Sequence, residues 1–284
     1  MYLLFLLLYQ YLKKCAVVYL FTHFILHSLK YEFIHSMRTF FIAFVVFLAG
    51  CILLPFFMDG FLTSLPIVSV VFGLGFSFLI IGILFALFIS IFVNYDRSMF
   101  KRPGYLTLTL PVSTTELILS KVLTTMIWLI IAMFVMVLGF SMMAVVVSVR
   151  ENAFNLSSFF EFFRMFFESF VEYLTHYPIE FLNNVIMVFA ELLILVGGIF
   201  FSLTIVRTKW FRKHQLIFGV IIYFAINFFI GWLSGVLFGD STSTFMSAGT
   251  DIVTLITSNL YYILFGVLFT IGTIYIIDHH IEIE

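Results

Sequence analysis

One carboxyl group lies far inside a long apolar segment of this sequence. Glu191 stands in the first half of the run 182–206, which is otherwise almost free of ionisable residues. A carboxylate at membrane depth is costly, and it marks either a transport pathway or a buried polar contact. The amide side chains that could hydrogen-bond it are Asn183, Asn184 and Asn227. Two interpretations stay open: a hydrogen-bonded clasp between helices, and a group that faces the cargo or a gate.

Two groups of residues have side chains of the types that bind metal ions. They are His23, His27 and His35 in the first part of the chain, and Asp278, His279, His280 and Glu282 near the other end. The first group has no cysteine or carboxylate at ligand spacing except Glu32, and a solvated tail beside the membrane explains the second. We therefore predict no metal site.

Recognisable catalytic motifs are absent from the sequence. It contains no HExxH zinc motif, no GxSxG nucleophile motif and no GxxxxGK[ST] phosphate-binding loop. Cys15 and Cys51 are far apart in apolar surroundings, which predicts neither a disulfide framework nor a thiolate metal site. We predict that the chain is not an enzyme and binds no cofactor itself.

The composition indicates a membrane protein. The chain is 63% hydrophobic and only 10% charged, and a soluble domain of this length could not bury so much apolar surface. The net charge of −1 argues against a nucleic-acid partner. We predict an all-α polytopic protein whose solvent is the lipid bilayer.

Six long apolar runs divide the sequence into predicted membrane spans. They are residues 39–58, 67–93, 122–149, 182–206, 215–238 and 259–277, in a single transmembrane domain of residues 29–284. Residues 1–28 are apolar but interrupted by Lys13 and Lys14. We expect them to form an interfacial leader or to reflect the choice of start site, with an extra span as the alternative.

Glycines give two predicted spans smooth faces for helix contact. They are Gly73, Gly75 and Gly82 in the second span, and Gly231, Gly235 and Gly239 near the end of the fifth. We expect these faces to allow close approach of a neighbouring helix.

The cations are unevenly divided between the two sides of the predicted membrane topology. One side holds Lys13, Lys14, Lys30, Arg38, Arg97, Lys101, Arg102, Lys121, Arg207, Lys209, Arg212 and Lys213, and the other holds Arg150 and Arg164. By the positive-inside rule this split predicts that the loop after the second span is cytoplasmic. We therefore expect both ends of the six-span core to lie on the cytoplasmic side of the plasma membrane, provided that residues 1–28 do not span.

The polar segment 94–122 between the second and third spans carries recognisable turn and capping signals. Pro103 and Gly104 break the chain before an alternation of threonine and leucine that Pro111 closes. The residues Ser113 to Glu116 read as a capping box, in which the serine oxygen accepts the backbone N–H of Glu116. We predict that a helix begins at about Thr114 and continues into the third span.

This segment resembles part of a known transporter family. The run GYLTLTLPVSTTELILSKVL, with an aspartate and basic residues before it and Trp128 after it, is similar to the cytoplasmic segment between the second and third spans of ABC-2-type transporter permeases. The resemblance extends more loosely from Leu29 to Asp278, through an LKYEF-type lead-in, six spans and a YIID-type exit, and leaves residues 1–28 outside.

The resemblance implies a permease subunit driven by a separate protein. Cytoplasmic ABC ATPase subunits would bind ATP and Mg²⁺, and a second copy or a related permease would complete a homo- or heterodimer. The implied ATPase-coupling loop contains Asp96, Arg97, Lys101, Arg102, Pro103, Gly104, Tyr105, Pro111, Ser113, Glu116 and Lys121. The implied lead-in helix, residues 29–38 on the cytoplasmic surface, contains Lys30, Tyr31, Glu32 and Arg38. Glu191 and Asn227 are the candidate pathway or clasp residues.

The expected function is export of a hydrophobic, peptide-like or lipid-like cargo by alternating access. An alternative function is a non-transporting sensor or immunity subunit that binds a peptide at its outer, Phe-rich loop. That loop, residues 150–181, repeats phenylalanine at helical spacing and predicts an amphipathic helix. The interpretations as a membrane-lying connector and as an outer gate both remain open.

Overall fold

The computed structural model describes seven stretches of the chain. They are residues 29–34, 36–55, 67–100, 113–150, 156–207, 215–238 and 252–280. Within them the backbone is helical except at Ser113, Tyr177 and Arg207, and no strand occurs in these seven stretches.

Seven helices account for this structure. They are α1 (Leu29–Pro55), α2 (Ile67–Phe100), α3 (Thr114–Arg150), α4 (Leu156–His176), α5 (Pro178–Val206), α6 (Gln215–Phe238) and α7 (Ile252–His280). All except α4 contain a stretch long and apolar enough to cross a membrane. The prediction of an all-α protein with six candidate membrane-spanning helices is confirmed for the described residues.

Several helices extend beyond the predicted spans. In α1 the predicted lead-in 29–38 and the first span run on as one helix, with residue 35 outside the description. In α2 the helix continues seven residues past the predicted end at residue 93, to Phe100. Polar residues in these extensions, such as Glu32 and Asp96, are largely buried and paired, which removes the need for the helix to end where the apolar run ends.

The start of α3 has the cap that the sequence predicts. Ser113 Oγ accepts a hydrogen bond from the backbone N–H of Glu116 at 3.3 Å, and the Ser113 carbonyl accepts the N–H of Leu117 at 3.2 Å. From Thr114 the helix continues without interruption for 37 residues. At 1.5 Å per residue it is about 56 Å long, so it must tilt in, or protrude from, a hydrocarbon core about 30 Å thick.

Helix α5 is the centre of the bundle. It packs most extensively against α7 and then α6, and it also contacts α2, α3 and α4. Its second half is almost wholly buried, and the main apolar core lies where that half meets α1, α2 and α3. This central position lets α5 hold polar side chains from several neighbours.

The closest approaches of two helix backbones use glycines other than the predicted ones, although the predicted Gly75 of α2 does contact Leu54 of α1, with 3.4 Å between its Cβ position and Leu54 Cδ1. A Cβ at Gly266 of α7 would lie 2.8 Å from Leu193 Cγ and 3.1 Å from the backbone nitrogen of Ile194 on α5. Open space surrounds the corresponding positions of Gly82, Gly231 and Gly235 within the described chain. The predicted helix contacts of these three glycines are therefore not made within the described residues, and all three are exposed. The surroundings of Gly73 and Gly239 lie outside the description.

Helix α4 is the amphipathic helix predicted between the third and fourth spans. An exposed ion pair joins Arg164 to Glu168 at 2.7 Å, while Phe160 and Phe167 expose most of their rings. Asn184 of α5 donates a hydrogen bond to the hydroxyl of Tyr173 at 3.0 Å, which ties α4 to the bundle.

Candidate functional site

A buried ion pair joins α1 to α3. Lys121 Nζ donates hydrogen bonds to Glu32 Oε1 and, at 3.0 Å, to Ser98 Oγ of α2. The lysine side chain is 4% exposed and the glutamate side chain 14% exposed. Three helices thus meet at one ammonium group.

A second ion pair joins the end of α2 to the end of α5. Arg207 donates to Asp96 Oδ1, and the aspartate side chain is 4% exposed. The same guanidinium lies 5.0 Å from the centre of the Phe100 ring, a distance at which cation–π attraction adds to the contact. Arg207 is therefore anchored to α2 by both charge and ring.

Tyr95 lies between the two ion pairs and connects α2 to α5. Its ring stacks on Phe200 with centroids 4.0 Å apart, and its hydroxyl shares a hydrogen bond of 2.9 Å with Thr204 Oγ1. Its backbone carbonyl accepts a hydrogen bond from Ser98, the serine that also accepts from Lys121. Hydrogen bonds at the two ends of Tyr95, its backbone carbonyl and its hydroxyl, therefore link the Lys121–Glu32 pair on one side to Thr204 of α5 on the other.

Trp128 reinforces the contact between α1 and α3. Its ring is held between Phe33 and Phe40, stacked on both at centroid distances of 4.5 and 5.2 Å. Its indole N–H donates to Ser36 Oγ at 2.8 Å. Lys121 and Trp128 are two helical turns apart on α3, and Glu32 and Ser36 are one turn apart on α1, so two matching faces meet.

A very small cavity of about 10 Å³ lies among these residues. Glu32, Tyr95, Ser98 and Lys121 line it, together with Thr124. The Thr124 hydroxyl is the buried polar side-chain atom that has no hydrogen-bond partner in the described part of the chain. The volume of this cavity is close to that of a single water-sized probe, so the cavity cannot hold a cargo molecule.

The arrangement is suited to transmitting movement between helices. Breaking a buried pair leaves an uncompensated charge in a poorly solvated place, which is strongly unfavourable. A displacement of α3 at Lys121 therefore pulls on α1 through Glu32 and on α2 through Ser98. The Asp96–Arg207 pair and the Tyr95–Thr204 bond extend the connection to α5. We call the residues Glu32, Ser36, Tyr95, Asp96, Ser98, Lys121, Thr124, Trp128, Thr204 and Arg207 the polar cluster.

The structure brings together some of the predicted coupling residues and separates others. Glu32, Asp96 and Lys121 belong to the polar cluster, and Ser113 and Glu116 form the cap of α3. Lys30 and Tyr31 are exposed at the start of α1. Arg38 and Arg97 line a separate groove between α1 and α2. The remaining predicted loop residues lie outside the described residues: Lys101, Arg102, Pro103, Gly104, Tyr105 and Pro111.

Glu191 is exposed on α5 and makes no hydrogen bond or ion pair with Asn183, Asn184 or Asn227 in the described chain. Each asparagine bonds elsewhere. Asn183 Oδ1 accepts from Asn259 of α7 at 2.9 Å, and Asn227 donates to the backbone carbonyl of Tyr223 one turn away. The predicted partners of Glu191 are thus occupied by other contacts.

Sequence reasoning missed the uncharged members of the polar cluster. Tyr95 and Ser98 lie beside Asp96 in the sequence, and Thr204 lies three residues before Arg207, so proximity to these charged residues was the only hint of a role. Among the residues described, no group of three or more metal-ligating side chains is close enough to hold a metal ion. No protein-family model, curated protein or solved structure matches this chain.

Proposed function

We propose that this chain is the permease subunit of an ATP-driven transporter of the ABC-2 type. It would export a hydrophobic, peptide-like or lipid-like cargo by alternating access, with ATP and Mg²⁺ bound by separate ATPase subunits on the cytoplasmic side. The observation that carries the proposal is the buried Lys121–Glu32 pair. It joins the starts of α1 and α3 directly beside the segment that resembles the coupling loop.

The proposed mechanism uses α3 as a rigid lever. ATP-driven closure of the ATPase subunits pushes on the segment between α2 and α3, and the capped start of α3 receives that movement. The helix carries it across the membrane, since its 37 residues are uninterrupted. The polar cluster distributes the same movement to α1, α2 and α5, which switches the bundle between inward-open and outward-open states.

The exposure of Glu191 supports a dimeric permease. Charged residues within membrane spans usually face a bundle interior or a water-filled cavity and pair there. In a single chain Glu191 faces outwards from α5. In the proposed dimer, a second copy or a related permease covers this face, and the carboxyl group lies at the shared pathway.

The first experiment is co-purification of the tagged chain from its own membranes in mild detergent. We expect an ATP-binding subunit to accompany the wild-type chain. Changing Glu116→Gln together with Ser113→Ala should weaken that association, because both residues belong to the cap beside the coupling loop. Arg164→Gln on α4 removes one charge far along the chain from this loop and serves as the matched control.

A folded chain that purifies alone would contradict the transporter proposal. It would favour the second candidate, a sensor or immunity subunit that binds a peptide on its outer side. The exposed rings of Phe160 and Phe167 on α4 are the observation that favours this alternative. Peptide binding that persists without any ATPase and is lost in Phe160→Ser and Phe167→Ser would establish it.

A further inference from the structure

A long groove with one charged end lies between α1 and α2. It has a volume of about 780 Å³, within the range of roughly 300–1,000 Å³ typical of ligand sites. The α1 wall includes Ile42, Val46 and Gly50, and the α2 wall includes Gly82. The helices meet beyond the groove, where a Cβ on Gly75 would lie 3.4 Å from Leu54.

Two arginines close the opposite end of the groove. Arg38 of α1 and Arg97 of α2 line it, and with Thr39 and Asn94 they also line an adjoining polar pocket of about 230 Å³. Both arginines are exposed, and neither joins an ion pair or hydrogen bond within the described chain. This end therefore presents two guanidinium groups, which bind phosphate well through their fork of donors.

The length of the groove matches one leaflet of a bilayer. Arg38 and Gly50 are twelve residues apart on α1, which corresponds to about 18 Å along the helix. One leaflet contributes about half of a hydrocarbon core that is about 30 Å thick. An acyl chain whose headgroup lies at the arginines would therefore reach the glycines near the middle of the membrane.

We propose that this groove binds an anionic phospholipid. Its phosphate lies between Arg38 and Arg97, and one acyl chain lies along Ile42 and Val46 towards Gly50 and Gly82. Ile42 and Val46 expose 57% and 67% of their surfaces in the single chain, so the lipid would cover them. The charge at one end and the apolar walls beyond it match the two ends of such a lipid. This site is separate from the polar cluster and does not depend on the proposed transport function.

The test is lipid binding to the purified full-length chain, measured by native mass spectrometry. Delipidated protein in detergent is titrated with dioleoylphosphatidylglycerol, which is anionic, and with dioleoylphosphatidylcholine, which has no net charge. We expect tighter binding of phosphatidylglycerol. Each of Arg38→Gln and Arg97→Gln should weaken its binding about fivefold, since a basic residue near an anionic lipid contributes that much. Arg164→Gln should leave binding unchanged.

A second variant tests the acyl-chain part of the groove. Open space surrounds the Cβ position of Gly82, so Gly82→Leu should fold and fill the groove. We expect it to weaken phosphatidylglycerol binding at least fivefold while the chain keeps its thermal stability. Gly235→Leu, at another glycine with open space around it, is the control.

Equal binding of the two lipids, or wild-type binding in Arg38→Gln, Arg97→Gln and Gly82→Leu, would overturn the proposal. If Gly82→Leu changes the oligomeric state of the chain and leaves lipid binding intact, the groove holds a second copy of the protein, and the lipid proposal is likewise wrong.

Discussion

At the scale of single residues, the most informative feature is a lysine buried where two helices begin. Lys121 is 4% exposed and bonds to Glu32 and Ser98 on two different helices. A buried charge is tolerated only with a partner and further hydrogen bonds, and Lys121 has both. The identity of its partner therefore decides how α1 and α3 are joined.

Removing either member of this pair should destabilise the protein by about 3 kcal/mol, because the remaining charge stays buried without its partner. We expect this for Lys121→Met and for Glu32→Gln, whereas the double variant should lose much less than the sum of the two. Thermal unfolding of the purified protein in detergent measures all three.

The exposed pair of Arg164 and Glu168 supplies the control for this comparison of the two single variants with the double variant. Arg164→Gln should change stability by less than about 1 kcal/mol, as is usual for surface ion pairs. Strictly additive losses in the Lys121 and Glu32 variants would mean that the two side chains do not interact in the folded protein.

At the scale of helices, the most extensive contact among α2 to α7 is between α5 and α7. Gly197 and Gly266 face one another across it, and a Cβ on Gly197 would lie 3.0 Å from the carbonyl oxygen of Gly266. The obstructing atoms include the carbonyl oxygen of Gly266 and the backbone nitrogen of Ile194, which cannot move aside as the end of a side chain can. Small residues of this kind allow membrane helices to pack closely.

Gly266→Ala should therefore lower stability by about 1–3 kcal/mol through overpacking against α5. Gly235→Ala places the same methyl group in open space, so it should be neutral or should stabilise the helix by up to about 1 kcal/mol. Thermal unfolding in detergent compares the two variants directly. A loss at Gly235 equal to that at Gly266 would indicate that Gly235 also contacts a neighbour, such as a second chain.

At the scale of the whole molecule, the two buried ion pairs lie near the same end of four helices, α1, α2, α3 and α5. Glu32 is the fourth residue of α1 and Lys121 the eighth residue of α3, and Asp96 and Arg207 stand at the ends of α2 and α5. Arg150, at the far end of α3, is about 44 Å from Lys121 along the helix. This geometry is compatible with the orientation expected from the positive-inside rule, in which the cluster faces the cytoplasm.

Cysteine labelling tests that orientation. In a chain whose Cys15 and Cys51 are replaced by alanine, we expect Thr175→Cys on α4 to react with a membrane-impermeant maleimide in intact cells. Ser113→Cys, at the cap of α3, should react only after the membrane is permeabilised. Both side chains are exposed in the single chain, so accessibility to reagent depends on the side of the membrane. The reverse labelling pattern would show that the orientation in the membrane is the opposite of the one expected.

The sequence by itself determined the features that depend on neighbouring residues along the chain. Long apolar runs predict membrane helices because a bilayer leaves backbone groups no partner except those of their own helix. The cap at Ser113 was predictable because its donor, the Glu116 N–H, is three residues away. The amphipathic character of α4 follows in the same way from helical spacing.

Only the tertiary structure decided which distant residues meet. Glu32 and Lys121 are 89 positions apart, and Asp96 and Arg207 are 111 apart. Their pairing depends on the rotation and depth of each helix, which hydrophobicity alone does not fix in a chain apolar on nearly every face. For the same reason the glycines in close contact proved to be Gly197 and Gly266, and Gly231 and Gly235 faced open space. Helix formation is a local property of this sequence, whereas the pairing of charged residues between helices depends on how the helices are arranged.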